Sequence, residues 1–330
     1  MPPNGSTKIV AIQYLLYFVL LIGLTHAAYS NPAPTFDRYI YAAMVGQQMS
    51  GPYPESLLAE DLLHNPLHMA ETFPFYSIKT LYVAAIRLLG IRVVSPLALF
   101  LLGAVLLAWL RSAFLAGLII LLPSVYETSH EITPDMLSCL FLVTASWLIA
   151  TNRDFLGVVV LISSVWVRPD NVIFVGLALL WMAYEKRITI RDFFVISGVA
   201  LGSVFTINHF GYSWRLLAHY TFVYANPTPT STPFYISIRQ FVHAAVGGMK
   251  STLVGGSPWA LLGFAAWKLN TKYKPLVLVA GFNIFFHMLL LPEWDVRFFL
   301  GSFLLVAVAF VTALPQNVQD ISDYRLSLRE

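Results

Sequence analysis

Residues 94–123 read VSPLALFLLGAVLLAWLRSAFLAGLIILLP, thirty positions in which Arg111 is the single charge. Two apolar runs, 94–110 and 112–123, lie on either side of that arginine. In lipid every backbone N–H and C=O must be satisfied within its own segment, so runs of this kind are read as helices. The same pattern recurs along the chain at 9–29, 76–90, 134–150, 155–167, 171–184, 193–208, 252–267, 275–291 and 297–313. Composition agrees: 58% of the 330 residues are hydrophobic and only 11% charged, whereas soluble domains carry about 25% charged residues. Mean hydropathy is +0.70. Sixteen Tyr and eight Trp suit rings placed at membrane interfaces. The expectation is an all-α, polytopic transmembrane helix bundle forming one domain over 1–330, in contact with membrane lipids.

The net charge of +3 comes from scattered Lys and Arg, which argues for topology rather than for a nucleic-acid partner. Arg111, Arg153, the group 185–191, Lys268, Lys272, Lys274 and the tail arginines Arg325 and Arg329 fall on one side if the N-terminus is cytoplasmic and segment 76–90 does not cross. That segment is short and holds Lys79 and Arg87, so an interfacial or re-entrant helix suits it better than a span. About ten spanning helices then remain by segment count. Outer loops are expected at 30–75, 124–133 and 209–251, with a cytoplasmic tail at 314–330. The run 9–24 after Lys8 is longer than a signal-peptide core, which predicts a retained first helix. The lone cysteine, Cys139, excludes an intrachain disulfide and any Cys-based metal site. No internal repeat and no linker between two domains is legible.

Polar residues gather in four places, all on the expected non-cytoplasmic face. Asp37, beside Arg38 just after the first helix, is either a half-buried general base toward a hydroxyl acceptor or the cap of a following helix. The stretch Glu127-Thr128-Ser129-His130-Glu131-Ile132-Thr133-Pro134-Asp135 is denser. Thr133 as cap, Pro134 at the first helical position and Asp135 in the first turn explain its end as ordinary helix initiation. Glu127, His130 and Glu131 are left over, and could hold a divalent cation or position hydroxyl groups. Arg168, next to Asp170, could bind a phosphate or simply pair with its neighbour. In Pro292-Glu293-Trp294-Asp295-Val296-Arg297, the guanidinium of Arg297 suits the phosphate of an isoprenoid lipid, with Glu293 and Asp295 as partners. An aromatic-belt turn with an internal ion pair explains the same residues. In the long loop, Arg215 and His219 are spaced to share a helical face. No P-loop, GxGxxG, HExxH or GxSxG occurs in a usable context, so nucleotide-driven chemistry is unsupported.

The order of these features resembles the GT-C superfamily of integral membrane glycosyltransferases, which includes protein mannosyltransferases and aminoarabinose lipid A transferases. The likeness rests on an acid opening the first outer loop, Phe73-Pro74-Phe75-Tyr76, Arg87-Leu88-Leu89-Gly90, Pro123, Thr133-Pro134-Asp135-Met136-Leu137, and the Glu-Trp-Asp-Val-Arg-Phe turn at 293–298. It covers 8–184 in order, with looser support at 292–299. The resemblance implies transfer of a sugar from a polyprenyl-phosphate donor to a lipid, glycan or protein acceptor, with the donor tail in a groove between helices. It makes Asp37 the base or acceptor-binding acid, Glu131 or Asp135 a second acid that sometimes acts through a metal, and Arg297 the phosphate ligand. Arg38 departs from the pattern, since many relatives carry a second acid there. Catalytic roles are thus expected for Asp37, Glu131 and Asp135. Substrate contacts are expected from Arg38, His130, Arg168, Arg215, Glu293, Asp295 and Arg297. The chain length leans toward a bacterial inner membrane, with the site facing the periplasm. The competing class is a transporter or flippase for a lipid or small anion, which should show inverted repeats or helices broken at matched positions.

Overall fold

The computed structural model of the chain describes residues 5–35, 37–38, 41–42, 45, 79–211, 238–269, 272–290 and 295–327. Its regular structure is helical throughout: α1 (Gly5–Ser30), α2 (Thr80–Leu89), α3 (Val94–Leu110), α4 (Ala113–Ile120), α5 (Pro123–His130), α6 (Asp135–Ala150), α7 (Asp154–Val167), α8 (Val172–Tyr184), α9 (Ile190–Gly211), α10 (Ile238–Lys268), α11 (Lys274–Leu290) and α12 (Val296–Ser327). A 3-10 turn, Pro169–Asn171, joins α7 to α8.

Among the described residues, three helices are long and apolar enough to cross a membrane, at Val10–Ser30, Ile190–Ile207 and Val296–Leu314. Two further pairs qualify only as broken spans or re-entrant loops: α2 meets α3 at 103°, and α4 meets α5 at 62°. The total is therefore three, or five with the bent pairs. The count of about ten spans does not follow from these lengths. Four of the apolar runs make helices of 10–17 residues, short of the roughly 20 that cross about 30 Å of hydrocarbon. Segment 76–90, expected as an interfacial or re-entrant piece, is α2 over Thr80–Leu89, turned sharply against α3 through Gly90 at φ +95°. Segment 124–133, expected as a loop, is mostly α5, because Pro123 opens a helix there rather than closing one. Residues 238–251 of the expected loop 209–251 belong to α10, and the tail 314–330 continues α12 as far as Ser327. Residues 46–78 and 212–237 lie outside the described residues.

Packing explains the arrangement. Helix α6 lies between α3, α7 and α12, and its buried side, from Met136 through Cys139 and Val143 to Ile149, belongs to the main core. Helix α1 rests on α3, where Tyr17 donates to the carbonyl of Gly103 at 2.7 Å. A Cβ on Gly103 would come 2.6 Å from a Leu21 methyl and 3.0 Å from the Tyr17 hydroxyl, so any larger residue here makes the Leu21 side chain shift. The outward side of α1 exposes Leu15, Leu16, Val19 and Ile22 by 58–64%. A contiguous apolar face of that size is costly in water and matches the bilayer as solvent.

Helix directions place the polar groups. Helix α10 ends at Lys268, α11 starts at Lys274, and the Lys274 ammonium lies 5.3 Å from the Trp267 ring. Trp109, close to Arg111, meets Tyr273 at 5.8 Å. These residues mark one end of the bundle. The end of α5, the starts of α6 and α12, the α7–α8 turn and the last turn of α11 come together at the other end, through the ion pairs described next.

Candidate functional site

Helix starts and stops deliver every charged group at this second end. After α1 the chain turns back, and the Ala33 N–H donates to the His130 carbonyl at 2.7 Å. That bond fastens the segment carrying Asp37 to the end of α5. Glu131 follows α5 with extended backbone, Asp135 occupies the first turn of α6, and Arg297 the first turn of α12. Acids at helix N-termini are favoured by the helix dipole; an arginine there requires acid neighbours to offset it.

Arg297 has four such neighbours. Its Nη1 donates to Oδ2 of Asp37 and to Oε2 of Glu131, both at 3.1 Å. Its Nε lies 2.8 Å from Oδ2 of Asp295 and 3.9 Å from Oδ2 of Asp135. Asp295 also accepts the Arg297 backbone N–H at 3.1 Å, closing the turn before α12. Asp135 reaches across to a second arginine, pairing through Oδ1 with Nη1 of Arg168. Arg168 in turn donates Nε and Nη2 to the two oxygens of Asp170, at 3.1 and 2.5 Å. His287 completes the chain, with Nε2 3.0 Å from Oδ2 of Asp170.

Five carboxylates (Asp37, Glu131, Asp135, Asp170, Asp295) thus surround two guanidinium groups in one connected network. Burial raises the Glu131 carboxyl above its usual range, against the opposing pull of Arg297. Lys79, at the start of α2, feels the same field. Burial lowers its ammonium to about 8, while Asp37 and Asp135 resist the shift and Arg168 adds to it. Among the described residues of the network the carboxylates outnumber the guanidinium groups, so these groups favour protons and cationic partners over an additional bare anion. An anionic ligand would have to replace a carboxylate on arginine.

The structure brings Asp37, Glu131, Asp135, Asp295, Arg168 and Arg297 together from segments spread over 260 residues. Arg168, which the sequence leaves between phosphate binding and pairing with Asp170, pairs with Asp170 and with Asp135. Arg38 is 5% exposed and donates to the Pro32 carbonyl at 3.4 Å, so its guanidinium braces the turn after α1. His130 also turns away from the network. Its Nδ1 lies 2.8 Å from the Tyr126 carbonyl, an acceptor only, which places the proton on that nitrogen and leaves Nε2 buried without a partner among the described residues. Glu127 points outward. Among the described residues no group of three or more His, Cys, Asp or Glu is arranged to hold a metal. The expected Thr133 cap is replaced by Pro134, and the Thr133 hydroxyl is buried without a partner among the described residues. Glu293 and Arg215 lie outside the described residues.

Two contributors escape a reading by local spacing. His287 sits within the apolar run 275–291, where one histidine looks like packing. Its position inside an apolar segment is itself the available signal, since ionisable groups there are expensive to keep. Lys79 reads as a charge on an interfacial helix, and only the fold sets it against Asp37 and Asp135. No protein-family model, curated protein or solved structure matches the chain.

Proposed function

We propose that the chain is a membrane glycosyltransferase that moves a sugar from a polyprenyl-phosphate donor to a hydroxyl acceptor. The observation that carries this reading is the meeting of Asp37, Glu131 and Asp135 on Arg297, at the bundle end where an apolar tail can approach from lipid. Asp37 takes the proton of the acceptor hydroxyl. The hydroxyl oxygen attacks the anomeric carbon, the bond from that carbon to the phosphate oxygen breaks, and the phosphate leaves with the electron pair. One displacement inverts the anomeric centre.

The ion pairs give this step a physical logic. Asp37 and the leaving phosphate compete for the same Nη1 of Arg297. When Asp37 accepts the proton it loses the charge that holds the guanidinium, at the moment when charge develops on the phosphate. The arginine is then stabilising in the transition state more than in the resting state, which is the condition for catalysis. Glu131 and Asp135 keep Arg297 aimed, and Arg168 supplies a second guanidinium behind Asp135.

The proposal carries with it the arrangement of about ten spans, in which the four shorter helices cross a locally thinned bilayer. It also carries the bacterial inner membrane, with the site on the periplasmic face. The acceptor class, whether lipid, glycan or protein, stays open within it. The deciding experiment is transfer of labelled sugar from a short-chain prenyl-phosphate donor by purified protein, wild type against Asp37→Asn. Donor turnover lost in the variant supports the reading; full turnover in Asp37→Asn removes it.

A transporter or flippase of a lipid or small anion is the second reading. The two bent pairs, at 103° and 62°, favour it, because broken helices line transport sites. Both breaks, however, fall within residues 80–130 rather than at matched positions of two halves. Counterflow of a prenyl phosphate in proteoliposomes, unaffected by Asp37→Asn, is the outcome that reading requires.

A further inference from the structure

His287 is the one ionisable side chain in the apolar run 275–291, and it is 3% exposed. Its ring lies edge-on to Phe299 at 5.1 Å. Its Nε2 is 3.0 Å from Oδ2 of Asp170, and a carboxylate only accepts, so Nε2 donates. Its Nδ1 is buried with no partner among the described residues. A histidine that fills apolar space while one nitrogen stays idle is a costly way to pack a helix. The bond to Asp170 therefore needs a reason that packing does not supply.

What that bond holds is a pair of side chains. Arg168 and Asp170 both belong to the turn between α7 and α8. The turn itself is pinned separately, because Asn171 Nδ2 donates to Ser138 Oγ at 2.8 Å and to the Ser164 carbonyl at 2.9 Å. Among the described residues, the Arg168–Asp170 pair makes polar contact with other helices through Asp135 of α6 and His287 of α11. Asp170 occupies Nε and Nη2 of Arg168, so only Nη1 faces Asp135, on Oδ1. Oδ2 of Asp135 is thereby left to Arg297, whose Nε lies 3.9 Å away. An Arg168 that swings out of this pose can present its planar fork and take both oxygens of Asp135, the geometry such pairs prefer. Arg297 then loses one of its acids, and with it part of its aim.

We infer that His287 is a positioning residue for Arg297, acting through Asp170 and Arg168 to keep Asp135 divided between the two arginines. The inference rests on the glycosyltransferase reading for what Arg297 does in the reaction, and on the chain of bonds alone for how His287 reaches it. His287 ends α11 and Arg297 begins α12, and the connection between them passes through α6 and the α7–α8 turn. The hydrogen bond of His287 is to Asp170 and not to the acids around the Arg297 Nη1. Its loss therefore disturbs the aim of the guanidinium at the leaving group more than the binding of the donor, which is a change in kcat rather than in KM.

The test compares His287→Phe and His287→Gln with wild type in the purified full chain. Phenylalanine keeps a ring against Phe299 and removes the donor; glutamine returns an N–H donor at similar reach. With a short-chain prenyl-phosphate sugar as donor, His287→Phe is expected to lower kcat by about ten- to a hundredfold. KM is expected to stay within about twofold, and His287→Gln to recover most of the lost kcat. A wild-type kcat in His287→Phe overturns the inference. So does an equal fall in both variants, which would make His287 a packing element. A second measurement stands apart from sugar transfer: melting temperatures in detergent of His287→Phe, Asp135→Asn and the double variant. If His287 acts through Asp135, the two shifts together are smaller than their sum; additive shifts overturn the inference. Non-additive shifts, with no sugar transfer by wild type from any donor, keep the chain of bonds and remove the transferase.

Discussion

Arg168 and Arg297 share one aromatic ring: their guanidinium carbons lie 4.8 Å and 5.2 Å from the centroid of Phe298. They also share Asp135, whose two oxygens face one arginine each. Two cations this close repel, and the carboxylate between them, together with the electron-rich ring face, offsets the repulsion. Asp135, 4% exposed at the first turn of α6, is thereby the joint between the outer half of the network, with Asp37, Glu131 and Asp295, and the inner half, with Asp170 and His287.

Removing that joint should cost more than removing any rim acid. Asp135→Asn leaves the buried Arg168 and the part-buried Arg297 without their shared counter-charge, at most about 3–5 kcal/mol for a buried pair. The expected result is a clear fall in melting temperature in detergent, with a much smaller fall for Asp295→Asn, whose carboxyl is 39% exposed. Equal effects would place the stabilising charge elsewhere.

Arg297→Lys keeps the charge and loses the fork. A lysine ammonium cannot hold Asp37, Glu131 and Asp295 in the present geometry at once. Sugar transfer should drop on the order of a hundredfold in kcat, as for loss of a preorganised charge at the leaving group, with a lesser change in KM. An unchanged kcat would show that the guanidinium does not meet the leaving phosphate.

The pH profile should carry two separable limbs. Glu131 is raised by burial, so as pH falls it takes up a proton above the usual glutamate range and releases Arg297; activity declines on that side, and Glu131→Gln removes the limb. Lys79 is lowered to about 8, so its positive charge is present below that pH and lost above it. Donor binding therefore weakens above about pH 8, and Lys79→Arg moves that limb upward because arginine keeps its proton. Rate measurements across pH on the two variants check each limb independently.

Packing between α6 and α7 gives a prediction that does not depend on function. A Cβ on Gly157 would lie 2.6 Å from Ile149 Cγ1 and 3.3 Å from the Ala145 carbonyl oxygen, and the backbone carbonyl cannot move aside as a side-chain end can. Gly157→Ala should destabilise by about 1–3 kcal/mol, read as a lower melting temperature. Gly176→Ala, with open space around it, should not.

The all-helical architecture was legible because lipid leaves the backbone no other way to pair, and apolar runs such as 94–110 declare it directly. Asp37, Glu131, Asp135 and Arg297 were legible as candidates because charges at the edges of such runs are few. Their meeting was not, because local spacing says nothing about a pair 260 residues apart. The number of spans was not legible in the same way: a run of apolar residues states solvent preference, whereas length decides what crosses, and four of the runs make helices of only 10–17 residues.

By itself, then, the order of residues determined that this chain is helical, that its surface suits lipid, and which few charges stand at helix ends. Only the tertiary structure decided that Arg168 pairs with Asp135 and Asp170 rather than standing ready for phosphate, that Arg38 and His130 turn to backbone carbonyls, and that His287 joins from an apolar helix. The physical reason is the cost of an unpaired charge in a low-dielectric interior. Each charged group must find a partner, and which partner lies within reach is fixed by how the helices pack, not by their neighbours in sequence.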